Sequence, residues 1–292
     1  MGIKLKDLAE SYCITDGKKF RLKDFDPADT GKFKSKDQAQ ELLADGVERL
    51  SEMQEKLYAQ DNWSLLLIFQ AMDAAGKDST IKMVMSGVNP QGCQVFSFKA
   101  PSAEELDHDF FWRAARCLPE RGRIGIFNRS YYEEMLVVRV HPEFLAKQKL
   151  PPSAQKNIWA HRFEDVNAIE KYLARNGIIP IKFFLNLSKD VQLKRFIKRV
   201  DKPNKNWKFS EADFKERGRW DDYMAAYEDM LKNTSTAHAP WYVIPADNKW
   251  YTREAVAEVV VKRMQELDLR FPEVPDARHK ELLALRKKLL AS

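Results

Sequence analysis

Residues 64–82 read SLLLIFQAMDAAGKDSTIK. The apolar run Leu65–Phe69 is short and does not alternate, which is the pattern of a strand buried on both faces of a parallel sheet. It leads into Ala71-Met-Asp-Ala-Ala-Gly-Lys-Asp-Ser79 and then a helical stretch carrying a second basic residue, Lys82. Strand, Gly-Lys loop and helix are the context in which G-x-x-x-x-G-K-[ST] binds phosphate. Backbone N–H groups wrap the anion, the lysine reaches the transferred group and the hydroxyl holds Mg²⁺. Gly76 and Lys77 are in place, Ala71 replaces the first glycine, Asp78 stands where the hydroxyl belongs, and Ser79 follows. Ala74, Ala75, Gly76, Lys77, Asp78, Ser79 and Lys82 are therefore the candidate phosphate cradle. Asp73 sits inside the loop, where bound phosphates repel a carboxylate unless it holds a cation or accepts a proton. That assigns it to a divalent metal, Mg²⁺ or Mn²⁺, or to activating the acceptor. The bland alternative is a strand-to-helix turn with a solvated lysine.

Upstream, apolar residues from Leu42 to Tyr58 recur at spacings of three and four, which predicts an amphipathic helix over 35–60. Downstream, strands are expected at 94–98, 123–127, 181–185 and 241–244. Between them, helices are expected at 102–117 behind a Ser102/Glu105 capping box, at 153–176, from Ser188 onward, through about Leu231, and from a Thr252 cap to about Leu267. Five strands alternating with helices imply an α/β fold with a parallel sheet covered on both faces, whose ligands bind at the carboxyl ends of the strands. Residues 1–35 read as an irregular arm, 36–270 as the main domain with a lid at about 199–218, and 271–292 as a C-terminal helical tail.

The 292 residues are 44% hydrophobic, 32% charged and 11% aromatic, which excludes disorder and low-complexity scaffolds. No apolar run approaches the roughly 18 residues of a membrane span, no leader is visible, and Cys13, Cys93 and Cys117 are read as buried free thiols; the expected location is the cytoplasm. His108, His141, His161, His238 and His279 show no metal-ligand spacing. Forty-nine Lys plus Arg against 43 Asp plus Glu give +6. The interval 194–208 alone holds Lys194, Arg195, Lys198, Arg199, Lys202, Lys205 and Lys208 against Asp201, so the whole excess sits there. A basic loop able to close over phosphates neutralises charge and excludes water. Lys194 and Arg195 are the members most expected to be merely solvated. Trp207, Phe209, Trp220 and Tyr223 near this loop are read as core residues.

The strings QAMDAAGKDSTIK (70–82), SGVNPQGCQVFSFKAPS (86–102), GIFNRSYYEEMLVVRVHPE (125–143) and DKPNKNWKFS (201–210) resemble the polyphosphate kinase 2 family from about Lys32 to Leu267. The resemblance implies a P-loop kinase-like three-layer α/β/α sandwich with a five-stranded parallel sheet and a helical lid. It implies phosphoryl transfer from inorganic polyphosphate to adenine nucleotides, with acceptance of guanine nucleotides left open. A homo-oligomer, dimer or tetramer, with no nucleic-acid or membrane partner, is the expected assembly. Arg199, Lys205 and Lys208 are the expected lid contacts.

At the end of the third predicted strand, where P-loop enzymes usually keep an aspartate for the metal, this chain has Asn128, then Arg129 and, four residues on, Glu133. Asn128 offers only a neutral carbonyl oxygen, so Asp73 and Glu133 must supply negative charge. Arg129 is assigned to charge on the transferring group, which a planar bidentate donor suits. An asparagine followed by an acid at these positions resembles the branch of the family that accepts both AMP and ADP. Two other readings stay open: an ATP-dependent nucleotide or small-metabolite kinase, and a non-catalytic polyanion binder.

Overall fold

The structure, a computed structural model, describes residues 6–31, 33 and 35–292. Its strands are β1 (Cys13–Ile14), β2 (Ser64–Gln70), β3 (Cys93–Ser97), β4 (Ile124–Asn128), β5 (Ile178–Asn186) and β6 (Trp241–Pro245). They form one sheet in the order β1-β6-β5-β2-β4-β3, with β2 to β6 mutually parallel. Every residue of β2 is buried, as its unbroken apolar run requires of a central strand. Leu65, Leu67 and Phe69 face one layer, while Leu66 and Ile68 face the other. Helices Lys36–Gln60, Lys77–Val84 and Lys249–Gln265 cover the first face. The segment after β4, with helices Ile158–Arg175 and Trp220–Thr234, covers the second. The chain therefore leaves the carboxyl ends of β2 and β4, which are neighbours, toward opposite faces, and this opens the crevice typical of a topological switch point.

The five expected strands are present, and a sixth joins them. β1 pairs antiparallel with β6 through Cys13 opposite Tyr242 and Ile14 opposite Trp241. Two residues are too few to show periodicity, so the arm carries no sign of it. The expected helix at 102–117 is two short turns, Ala103–Leu106 and Trp112–Ala115. The capping box forms, but Asp109 then accepts from the Phe111 N–H at 2.9 Å, a local turn that competes with helix. Likewise 153–176 divides at Asn157, which adopts a left-handed conformation (φ 53°) before Ile158–Arg175. Ser35 and Ser188 cap their helices, accepting from Gln38 N at 3.2 Å and Val191 N at 3.3 Å. Thr252 does not: the helix starts at Lys249, and Thr252 Oγ1 instead donates to the Pro245 and Asn248 carbonyls. Residues 203–208 make a 3₁₀ turn, and no residue of the helix Asp276–Ala291 is buried. Cys13, Cys93 and Cys117 are free but half-buried, where full burial was expected. No helix among the described residues is long and apolar enough to cross a membrane.

Candidate active site

Gly76 (φ 108°) turns the loop after β2 into helix Lys77–Val84, whose first-turn N–H groups have no intrahelical partner. A Cβ at position 76 would lie 3.3 Å from Ser79 Oγ, so the left-handed conformation and the tight approach both require glycine there. Ala74 carries a second positive φ (65°) without being glycine, which marks strain held by its surroundings. Lys77 Nζ donates to the Ala71 carbonyl at 2.9 Å, and Ser79 Oγ donates to the Gly76 carbonyl at 2.9 Å. Burial first, and Arg129 second, pull the Lys77 ammonium below the ordinary lysine range; the carboxylates of Asp73, Glu133 and Asp78 oppose them.

Across the crevice, β4 ends at Asn128 and turns through Arg129, again with positive φ (64°). Arg129 Nη2 meets Asp73 Oδ1 at 2.7 Å and its Nη1 meets Glu133 Oε2 at 3.4 Å. The Glu133 charge raises the Arg129 pKa further above its already high value. Asn128 Nδ2 donates to Asp78 Oδ1 at 2.7 Å, so the two positions that depart from the usual P-loop chemistry satisfy each other.

These groups open into a cleft of about 840 Å³. Asp73, Ala74, Gly76, Lys77, Asp78, Ser79, Asn128 and Arg129 line its floor, and Arg199, Lys205 and Lys208 its lid side. Ala75, Lys82 and Glu133 do not line it. Ala75 is buried beneath the loop, Lys82 points from an exposed helix position, and Glu133 acts from behind Arg129. Arg199 is held by Asp213 at 3.0 Å and by the Lys208 carbonyl at 3.2 Å. Burial and the nearby Asp73 charge raise the Asp213 carboxyl.

Several residues not singled out from the sequence as site contacts also belong here. Lys99, Lys198 and Lys249 line the cleft, bringing its lining to nine cationic side chains against Asp73 and Asp78. Burial, then Arg195 and other cations, push Lys249 down to about 8. Arg195 is not merely solvated. Its Nη1 donates to the Ala74 and Ala75 carbonyls (2.9 and 2.8 Å) and its Nη2 to those of Ala246 and Asp247 (2.7 and 3.0 Å). It therefore clamps the strained P-loop to the loop after β6. Gln192, buried beside it, donates to the Asp73 carbonyl at 3.0 Å and accepts from Arg217 at 3.0 Å. Of the aromatic residues read as core, Trp220 and Tyr223 are buried; Trp207 is 77% exposed on the lid, where it lines the cleft, and Phe209 is also exposed.

A phosphate loop, a lysine and an arginine facing it across a switch-point crevice, and a cationic lid define a phosphotransferase of the P-loop kinase class. The family model described as Polyphosphate kinase 2 (PPK2) matches residues 33–272, and the chain belongs to that family. It is similar to the ADP-polyphosphate phosphotransferase of Rhodopseudomonas palustris, 53% identical over 283 residues that cover 94% of this chain and 98% of that one. It is also similar to the AMP/ADP-polyphosphate phosphotransferase of Meiothermus ruber, 42% identical over 272 residues (93% and 98%). Among solved structures, polyphosphate kinase 2 from Arthrobacter aurescens TC1 superposes with a TM-score of 0.86 at 39% identity, covering 95% of this chain and 96% of that one.

Proposed function

We propose that this protein transfers the terminal phosphoryl group of inorganic polyphosphate to ADP, and also to AMP, in a reversible reaction. The bond broken joins the terminal phosphorus to the bridging oxygen of the chain. The bond formed joins that phosphorus to a terminal phosphate oxygen of the nucleotide. The observation that carries this reading is the cleft itself: nine cations and two carboxylates converge on a P-loop, a surface matched to two polyanions held end to end.

Lys77 and the first-turn amides of its helix would hold the phosphates, and Arg129, fixed by Asp73 and Glu133, would meet the charge that develops on the transferring group. Lys99, Lys198, Lys205, Lys208 and Lys249 would spread over the remainder of the chain. No base-reading group is needed for such a donor, whose charges are met by cations alone. No group of three or more metal-ligating side chains occurs among the described residues. The site still suits Mg²⁺, with Mn²⁺ as substitute, because such an ion is commonly held by one or two carboxylates together with substrate phosphates. Asp73, with Asp78 beside it, would supply those carboxylates, and the ion would neutralise phosphate charge. AMP acceptance rests on the Asn128 and Glu133 pattern. The reading extends to a cytoplasmic homo-oligomer, a dimer or tetramer, in which the exposed Leu282, Leu285 and Leu289 are available for association. ATP and ADP formation from ADP and AMP with polyphosphate and Mg²⁺ at low salt tests the reaction. Phosphorylation of a nucleotide by ATP but not by polyphosphate would point instead to the ATP-dependent alternative.

A further inference from the structure

The turn that follows Arg129 is a 3₁₀ helix, Tyr131–Met135, a conformation whose poor hydrogen-bond geometry gives it little stability of its own. It must be held by what surrounds it, and it carries Glu133, one of the two carboxylates that fix Arg129. Gln70, buried at the end of β2, grips it from the P-loop side. With the amide oriented so that both atoms are paired, Gln70 Nε2 donates to Glu133 Oε1 at 2.8 Å and its oxygen accepts from Ser130 N–H and Oγ.

From the opposite side the grip is ionic and fully dry. Lys182 on β5 and Glu170 on helix Ile158–Arg175 meet at 2.6 Å, both side chains with 0% exposure. Lys182 has three N–H groups, and all are used: on Glu170 Oε2, on the Tyr132 hydroxyl at 2.9 Å and on the Thr234 carbonyl at 2.7 Å. Glu170 Oε1 accepts from the hydroxyls of Tyr131 and Tyr132 at 2.9 and 2.8 Å. The lysine nitrogen also lies 5.3 Å from the Tyr132 ring centroid and 5.1 Å from that of Trp241. With Lys182 as an ammonium and Glu170 as a carboxylate every contact is paired, since each tyrosine then donates and no donor is left over.

Stability does not account for such a pair. Well-packed apolar residues of the same volume are commonly as stable as a buried ion pair or more so. What the pair supplies is direction: it points two adjacent tyrosines, and with them the turn between Arg129 and Glu133, into one arrangement. We propose that Lys182 and Glu170 are positioning residues for phosphoryl transfer, acting through Tyr131 and Tyr132 on the Arg129–Glu133 pair. This rests on the kinase reading above, and its test separates the two.

The first variant is Tyr131→Phe/Tyr132→Phe, which keeps both rings and deletes the hydroxyls. The second is Glu170→Leu/Lys182→Met, which removes both charges together so that neither is left buried alone. Each is measured for Tm, for kcat and KM with polyphosphate and ADP, and for amide hydrogen exchange over residues 130–136. The expected result is a folded protein with kcat reduced about 10- to 100-fold, the range that misplacement of a catalytic group produces. KM for both substrates should stay within about twofold of wild type, because these residues do not touch substrate. Exchange over 130–136 should rise while β2 and β4 stay protected. In the charge-free double variant Tm should fall, because the two tyrosine hydroxyls and the Thr234 carbonyl lose their partners, while the protein still folds and kcat remains low. Wild-type kcat in either folded variant, or unchanged exchange over 130–136, overturns the positioning role. A wild-type protein that makes no ATP overturns the kinase reading instead, and the exchange data still show whether the pair holds the turn.

Discussion

Arg195 offers the sharpest prediction about how the cleft is built. A hydrogen bond from a charged donor contributes about 1.5–3 kcal/mol net, and four bonds sharing one guanidinium add less than their sum. Lysine at 195 can reach the P-loop carbonyls or those of Ala246 and Asp247, but a single ammonium lacks the fork that spans both. Arg195→Lys should therefore lose about 2 kcal/mol and Arg195→Met about 3–4 kcal/mol. At about 2–4 °C per kcal/mol for a domain near this size, the lysine variant should melt about 4–8 °C lower by calorimetry or dye binding. The strained Ala74 is no longer held, so kcat should fall by up to about 100-fold. Both terminal nitrogens of Arg195 are committed to carbonyls, so the salt dependence of KM for polyphosphate should not change. Lys208→Ala should behave differently, flattening the slope of log KM against log salt by about 0.7–0.9 while leaving Tm in place, because every cation paired with a phosphate adds roughly that much to the slope. An Arg195→Lys protein with wild-type Tm and a slope flattened by about 1 would refute the clamp, because Arg195 would then be pairing with phosphate.

Arg129→Lys keeps the charge and loses the planar fork between Asp73 and Glu133; it should lower kcat about 100- to 1000-fold with a smaller change in KM, read by steady-state kinetics. Lys249, pushed down to about 8, is charged below that pH and neutral above it, so KM for polyphosphate should climb as pH passes 8. A pH profile of Lys249→Met should lack that limb. Burial, then the nearby Glu258, push the Glu254 carboxyl up from 4.5 to about 8. The folded state therefore favours its protonated form, and this contribution is most favourable at low pH and is lost as pH rises from 4.5 toward 8, at no more than about 1.4 kcal/mol per unit. Glu254→Gln should gain Tm over wild type as pH is raised from 5 to 8; a constant difference would contradict the assignment.

The P-loop, the five parallel strands and Arg129 are legible in the sequence because their signals are local. An unbroken apolar run, a Gly-Lys step and a strand-end arginine each lie within a few residues of the element that places them. Arg195 is misread for the opposite reason. In the chain it is one of seven cations at helical spacing, and the four carbonyls that occupy it come from the loops after β2 and β6. Lys249 begins a helix far from the phosphate motif, and only the parallel neighbours β5 and β6 carry it back beside Gly76. Trp207 reads as core because large aromatics usually are; its place on a lid surface depends on the short 3₁₀ turn at 203–208. The breaks at Asp109 and Asn157 come from side-chain and left-handed backbone preferences that hydrophobic periodicity does not register. The buried Glu170 and Lys182 leave no separate mark, since a charged residue within a strand or helix is usually exposed.

The central claim is that polyphosphate is the phosphoryl donor at this P-loop. Its direct test is to mix purified protein with ADP, Mg²⁺ and polyphosphate at low salt, with no ATP present, and to follow ATP by luminescence beside Lys77→Ala. ATP should form only when polyphosphate is present and should fall by about two to three orders of magnitude in the variant, as loss of a group that stabilises transferring phosphate would produce. No ATP from the wild-type protein, or equal ATP from Lys77→Ala, would contradict the claim.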